Sequence, residues 1–270
     1  MRLAFAFTTV LLLVSSNIGV AADNPKQATK ENPYVNSLGM KFVPVPGTKV
    51  LFCTTETTVD QYKMAGLGYR APGFAQNGNH PAVDVSWNDA MAFCVWLSKR
   101  DHKKYRLPTD REWSFAVGIG DMENAGGSPG SKDRKLPDVF PWGKQGKGSP
   151  PPAEAGNYAG QELRNLKQDA IKQSDTFFEG FPVISGYNDK FTFTSPVGSF
   201  RPNALGIYDL GGNAFEWCQD KYDWKDADRV VRGGSWRTGE REYLLSSYRG
   251  VGELRPLGDI GFRVVLEVGR

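Results

Sequence analysis

Thiols and imidazoles are scarce in this chain, whose 270 residues include three cysteines, Cys53, Cys94 and Cys218, and two histidines, His80 and His102. A three-histidine metal site is therefore excluded, and a two-histidine site would need both to converge. His80 precedes a proline and His102 follows a lysine-flanked helix end, contexts that read as packing or surface positions. The cysteines share no CxxC spacing, and in an oxidising compartment at most one bridge could form, leaving one thiol over. Charge of one sign is also lacking: 33 basic and 30 acidic residues are scattered throughout for a net +3, without a polybasic run. Nucleic acid and anionic membrane are not expected partners of such a surface. No internal repeat or low-complexity tract is present, and no apolar run reaches the roughly 20 residues that a membrane-spanning helix needs.

What the first residues do contain is Arg2, an apolar run from Leu3 to Val14, and a small-residue ending at Val20, Ala21 and Ala22. This is a secretory signal pattern over 1–22, with cleavage expected after Ala22. No cysteine follows the cut to carry a lipid, so an exported, periplasmic or extracellular protein without a membrane span is expected. The remainder divides into a flexible polar segment, 23–35, and one domain, 36–270, long enough to bury a substantial core.

Within that domain MKFVPVP at 40–46 reads as a short strand near a sheet edge, because prolines interrupt it. A short helix is expected after Thr58. Ser86 with Asp89 three residues on forms a capping box, and Ala90, Phe93, Cys94, Trp96 and Leu97 recur at helical spacing behind it. Thr109 and Glu112 open a second helix, whose inward stripe is Trp113, Ala116 and Val117 and whose stop is Gly118. From Gly118 to about Tyr187 no sustained period appears, and an irregular stretch of that length in a compact domain points to function or to ion bracing. Strands return at 229–236 (RVVRGGSW) and 260–268 (IGFRVVLEV).

The segment GIYDLGGNAFEW, 206–217, sets Asp209 and Glu216 seven positions apart around paired glycines. Both carboxylates could face a hard cation such as calcium while Gly212 and Ala214 aim carbonyls at it. A tight Gly-Gly-Asn turn with Trp217 buried and both acids solvated fits the same spacing, and the spacing alone leaves both readings open.

Taken in order, HPAVDVSWNDAMAFCVWL, KYRLPTDREWSFA, FPWG, GNYAG, SPVGSF, GIYDLGGNAFEW, VVRGGSW and DIGFRVV resemble the formylglycine-generating enzyme (sulfatase-modifying factor) family from about Asn36 to Val268. The resemblance implies an α+β domain, a variant of the C-type lectin fold with little regular secondary structure, long loops and structural calcium. It implies one calcium site at Asp209, Gly212, Ala214 and Glu216. A second is implied at Asn157 and Asp189 by side chain and at Tyr158 and Phe191 by carbonyl, although Lys190 stands where a glycine usually follows the acid. An ion there would close the long irregular region and order it.

Catalytic relatives oxidise a sulfatase cysteine to formylglycine with a copper ion held by two cysteines beyond the GGS element. Here Thr238 and Tyr243 fall at those positions and no cysteine follows Cys218. Copper(I) selects soft thiolates, so copper is not expected and no catalytic residue is assigned. The family's iron-dependent sulfoxide synthases draw histidines from an additional helical domain, which is absent from this sequence. What remains of the family's active-site surface is Ser235, Trp236, Arg237, Tyr248 and Arg249, beside Tyr243. Stacking aromatics and forked guanidinium groups suit a peptide, an acidic group or a glycan. The alternative is that Trp236 is core and the arginines pair with Glu240, Glu242 or Glu253. Cys94 matches a family cysteine that bridges to the final strand, where this chain has Val264; a Cys94–Cys218 bridge and a buried free thiol both remain open. The function expected is ligand or protein recognition by a calcium-stabilised domain, with an oxidoreductase or sulfatase maturation factor using another metal or residue set as the alternative.

Overall fold

Three helices begin where a threonine or serine hydroxyl accepts a backbone N–H and the side chain three residues on returns the bond. They are α1 (Val59–Lys63) behind Thr58 and Gln61, α2 (Trp87–Asp101) behind Ser86 and Asp89, and α3 (Asp110–Val117) behind Thr109 and Glu112. Each such cap is worth about 1 kcal/mol. Gly118, at φ +92°, ends α3 as expected. His102 ends α2 in the left-handed region at φ +52°, while His80 places Nδ1 3.0 Å from Thr194 Oγ1, so the two histidines have separate structural tasks.

The computed structural model describes residues 22–146, 149–172, 182–224, 228–252 and 257–269. Apart from Ala22, the expected leader lies outside them, as does Glu253. The strands are β1 (Tyr34–Val35), β2 (Lys41–Pro44), β3 (Val50–Cys53), β4 (Tyr105–Arg106), β5 (Val139–Phe140), β6 (Gly143–Lys144), β7 (Phe215–Lys221), β8 (Arg229–Arg232), β9 (Gly250–Gly252), β10 (Ile260–Gly261) and β11 (Val265–Glu267). One antiparallel sheet runs β1-β2-β3-β11-β4, a second runs β10-β7-β8-β9 with β10 parallel to β7, and β5 and β6 form a small hairpin. Pro44 pairs with Leu51 of β3 but lies beyond the reach of β1, so its missing N–H falls at an open edge. The 23–35 segment, expected to be flexible, is tied down in part: Ala22 bridges Tyr34, which is buried with its ring 6.2 Å from that of Phe42.

Two further expectations need correction. The region 118–187 contains a fourth helix, α4 (Gln161–Lys172), besides the β5–β6 hairpin. Its first turns bury Leu163 beside Ala159 and against Trp236, and the contact with Trp236 is made across the fold and therefore invisible as a long local period. Residues 260–268 are not one strand. They break at Phe262–Val264, so that β10 joins the second sheet and β11 the first.

The apolar face of α2, with Phe93, Cys94 and Leu97, packs on Phe42, Tyr105, Phe262 and Leu266 to form one core. α3 contributes Trp113 and Ala116 to another with Phe52, Cys218, Val230 and Val265. Next to that second core lies a buried ion network. Arg232 and Arg249 both bond Asp110, and Arg249 also forks onto Glu123 at 2.5 and 2.7 Å. The Arg232 guanidinium lies 4.3 Å from the Trp113 ring centroid. Burial pushes the Asp110 carboxyl up, but the charges of Arg232 and Arg249 outweigh it and hold the group below the usual range.

Asp110→Asn should leave two buried guanidinium groups short of a counter-charge and cost about 3–5 kcal/mol in denaturant unfolding. Because the folded pKa is depressed, this contribution is complete above the ordinary carboxylate value of about 4 and is lost as pH falls through the folded value. The wild-type and variant stabilities should therefore converge in acid.

Candidate functional site

The 206–217 loop turns back on itself through four left-handed residues, Gly206 (φ +80°), Asp209 (φ +54°), Gly212 (φ +85°) and Asn213 (φ +62°). A Cβ at Gly212 would collide with the Asn157 carbonyl, so glycine is required there by close approach as well as by φ. The turn lays Asn213 between two sets of buried oxygens. Its N–H donates to the Asn157 carbonyl at 2.8 Å, its Oδ1 accepts from Ser195 N–H at 2.8 Å and Asn157 Nδ2 at 3.2 Å, and its Nδ2 donates to Glu56 Oε2 at 3.0 Å.

On one side stand Asn157, Tyr158, Asp189 and Phe191. Asn157 is fully buried, and both contacts of its Nδ2, to the Phe193 carbonyl at 2.7 Å and to Asn213 Oδ1, are acceptors. That fixes the amide orientation and leaves Oδ1 buried without a partner among the described residues. The Asp189 oxygens accept N–H groups of Tyr158 at 2.8 Å and Phe191 at 2.9 Å, which draws the residues nominated as carbonyl donors around the carboxylate. Burial pushes the Asp189 carboxyl up to about 7 against the pull of those two bonds. An isolated charge in such a place is costly unless a cation answers it, so these oxygens fit a hard ion. Lys190, standing where glycine was expected, adopts φ +76° with its side chain exposed.

On the other side stand Asp209, Glu216 and Glu56, which sequence reasoning had not singled out. Asp209 Oδ2 accepts the Gly198 N–H at 2.6 Å, while its Oδ1 is buried without a partner among the described residues. Glu216 is held differently. Arg263 Nε reaches both of its oxygens at 2.8 Å, Arg263 Nη2 bonds Oε1, and Trp113 Nε1 donates to Oε2 at 2.9 Å. Glu56 is fully buried, with Oε1 unpartnered; burial, then the neighbouring Asp209 carboxylate, push it well above the usual range. Among the described residues no group of three or more His, Cys, Asp and Glu converges to hold a metal, so backbone carbonyls such as those of Gly212 and Ala214 would have to complete any cation site.

The two positions that the sequence resemblance assigned to copper ligands, Thr238 and Tyr243, are occupied by structural groups. Thr238 is buried, and its Oγ1 accepts the Ser235 N–H at 2.9 Å in the turn after Gly234. The Tyr243 ring lies 4.8 Å from that of Tyr248, and Tyr248 lies 6.2 Å from Phe215, giving a half-buried row of three rings. Cys53, Cys94 and Cys218 are unbridged and buried in the two cores, where burial pushes each thiol up and opposes thiolate formation. These donors do not fit copper.

The remaining members of the expected ligand face divide. Ser235, Trp236 and Arg249 are buried. Ser235 Oγ lies 3.2 Å from Asp259 Oδ2, Trp236 donates to the Gly258 carbonyl at 3.1 Å, and Arg249 belongs to the Asp110–Glu123 network rather than pairing with Glu240 or Glu242. Arg237, a quarter exposed, bonds Asp259 at 2.6 Å. Arg237, Tyr243 and Tyr248 thus supply the exposed part of this face.

Residues 20–268 match the sulfatase-modifying factor enzyme 1-like domain, and the chain belongs to that family. It is 35% identical over 166 residues to the inactive C-alpha-formylglycine-generating enzyme 2 of Bos taurus, covering 61% of this chain and 41% of that protein. It is 30% identical over 214 residues to the formylglycine-generating enzyme of Thermomonospora curvata, covering 71% and 57%. The chain thus spans less than two thirds of either relative. Among solved structures, PvdO from Pseudomonas aeruginosa aligns with a TM-score of 0.54 at 25% identity, over 81% of this chain and 80% of that one. CarF aligns with a TM-score of 0.50 at 24% identity over 82% and 87%, a likeness of fold alone. The α+β fold is that of the formylglycine-generating enzymes.

Since a side chain at positive φ costs about 1–2 kcal/mol, Lys190→Gly should raise stability by about 1 kcal/mol once the greater freedom of glycine in the unfolded chain is deducted. Denaturant midpoints with and without calcium would measure it, and the gain should be present in both.

Proposed function

We propose that this chain is an exported, calcium-braced member of the sulfatase-modifying factor family that has given up copper-dependent formylglycine synthesis and serves recognition of a peptide, glycan or co-exported protein. The observation that carries this reading is the exchange of donors. At the thiolate positions stand a threonine whose hydroxyl is spent on a turn and a tyrosine whose ring stacks on another, whereas unpartnered hard oxygens lie buried at Asn157 and Asp209. Similarity to a relative named as an inactive formylglycine-generating enzyme supports the loss of synthesis. The signal pattern of 1–22 supports export, and no helix among the described residues is long and apolar enough to cross a membrane.

The recognition groups in this reading are the row Phe215, Tyr248 and Tyr243 and the partly exposed Arg237. Aromatic faces stack on sugar rings or apolar side chains, and a partly exposed guanidinium forks onto a carboxylate or sulfate. Calcium at the two oxygen sites would hold the long loops that shape that surface, one of which carries Phe215 itself between Ala214 and Glu216.

Purified protein should contain calcium without stoichiometric copper and should leave a sulfatase-derived cysteine peptide unconverted in a formylglycine assay; copper uptake with aldehyde formation would overturn the reading. Chelation should lower the melting temperature. An ion present at about 100 times its Kd stabilises by about 2.7 kcal/mol, which for a domain of this size is roughly 5–10 °C. An unchanged melting curve in excess chelator would remove calcium from the account.

A further inference from the structure

The second core stops short of the surface between α3 and the 200–211 segment. Phe115, Val117 and Leu205 pack against its buried residues but are themselves only half-buried, and they border a cleft of about 730 Å³. The lining grades from Ala116, Ile207 and Leu210, all buried, to Asp121, Glu154 and Arg201, all exposed. Such a volume falls in the range of ligand sites, roughly 300–1,000 Å³. Three aromatic rings reach the cleft from separate parts of the chain: Phe115 on α3, Trp142 in the turn between β5 and β6, and Phe200. Each ring is fixed by its neighbours. A Cβ at Gly47 or at Gly120 would overlap the Phe115 ring, so only glycine lets the backbone approach it there. Trp142 stacks on Phe140 at 4.8 Å and meets the Tyr158 ring edge-on at 5.7 Å, while Phe200 meets Phe191 at 6.0 Å. None of Phe215, Arg237, Tyr243 and Tyr248 lines this cleft, which is therefore a different surface from the row described above.

Side-chain donors are almost exhausted in the cleft. Trp142 Nε1 is spent on Gln145 Oε1 at 2.5 Å, and Asn203 Nδ2 on the Ala116 carbonyl at 2.7 Å. Pro46, Pro141, Pro152 and Pro202 line the walls and have no N–H to offer. Arg201 is the remaining side-chain donor in the lining, and its exposed guanidinium stands 3.6 Å from Glu154. The acids outnumber it. Asp121 is exposed and has no hydrogen-bond or ion partner among the described residues. Glu154 occupies the third position of a turn closed by the Ala155 N–H on the Pro152 carbonyl at 3.1 Å, at φ +65°, where glycine would sit with less strain. An acid is thus retained beside the cleft against the backbone's preference, and the two exposed acids and one exposed base leave a surplus of one negative charge.

We propose that this cleft binds an extended peptide segment in which a lysine or arginine stands next to an apolar or aromatic residue. The cationic group is matched to Asp121 and to the faces of the aromatic rings, which attract cations as well as apolar groups. The apolar neighbour covers the uncovered edge of the core over Ile207 and Leu210. A glycan fits less well, because its hydroxyl oxygens need donors that the cleft has already spent, and an acidic ligand meets charge of its own sign. The inference depends neither on calcium nor on the row from Phe215 to Tyr243; it gives the chain a second binding surface with a chemistry of its own.

The test is calorimetric titration of the full chain with two capped tetrapeptides, Phe-Lys-Leu-Lys and its acidic counterpart Phe-Glu-Leu-Glu, and with maltotetraose. The basic peptide should bind saturably and about 10-fold more tightly than the acidic one, and maltotetraose should not bind. Asp121→Asn should weaken the basic peptide by roughly 2- to 5-fold, the weight of one exposed charge pair. Phe200→Ala should weaken it by roughly 10-fold through the lost ring contact. Ala204→Trp, at an exposed position of the lining, should abolish binding by filling the cleft. Melting curves verify that each variant is folded, and should Phe200→Ala fail to fold, the two substitutions at exposed positions decide the matter. No saturable binding of the basic peptide, equal affinity for the two peptides, heat from maltotetraose alone, or an affinity untouched by both Asp121→Asn and Ala204→Trp would each sink the assignment. A peptide released by Tyr248→Ala but retained by Ala204→Trp sits on the aromatic row instead, which overturns the cleft while supporting the recognition reading proposed above.

Discussion

Arg263 is fully buried and reaches four different parts of the chain: both oxygens of Glu216 on β7, the carbonyl of Cys53 on β3, the carbonyl of Tyr208 in the 206–217 loop and, through Glu216, the indole of Trp113 on α3. It stands at the corner where the last segment leaves the second sheet at β10 and enters the first at β11. A guanidinium in the interior is tolerable only when its donors and its charge are answered in fixed geometry, so the position of each partner constrains the others. The two sheets, α3 and the 206–217 loop are located relative to one another by this one ion pair.

A second buried set, Asp110 with Arg232, Arg249 and Glu123, does similar work between α3, β8 and the residues leading into β9. Neither set includes Thr238 or Tyr243. This chain's scaffold is thus held by carboxylate–guanidinium geometry and by packed aromatics, with Thr238 and Tyr243 outside both ion sets. The oxygen sites around Asn213 are different in kind, because their unpartnered atoms lie inside the fold and an answering cation would contribute directly to its stability.

Local signals in the sequence were legible wherever the physics is local. The capping boxes at Ser86 and Thr109, the short helix after Thr58, the Gly118 stop and the amphipathic face of α2 depend on atoms within a few residues of one another, and each forms as its spacing indicates. Helix α4 escaped because Leu163 is buried against Trp236, a residue that only the folded chain brings over it. The 260–268 run looked like one strand because both of its halves are apolar; the break at Arg263 depends on a carboxylate 47 residues earlier. Arg249 looked available for a ligand because its acid partners, at 110 and 123, are remote in sequence.

The sequence alone determined membership of the family, the starts of α1, α2 and α3, the absence of a thiolate pair beyond Cys218 and the nomination of oxygen-rich loops, since residue identity and short spacing are sufficient for each. Only the tertiary structure decided which of those oxygens are free. Glu216 and Glu56 are the same side chain in two environments: one is saturated by Arg263 and Trp113, the other is left with an unpartnered atom. Lone-pair occupancy is set by groups arriving from distant parts of the chain, and that is a property of the fold rather than of any segment within it.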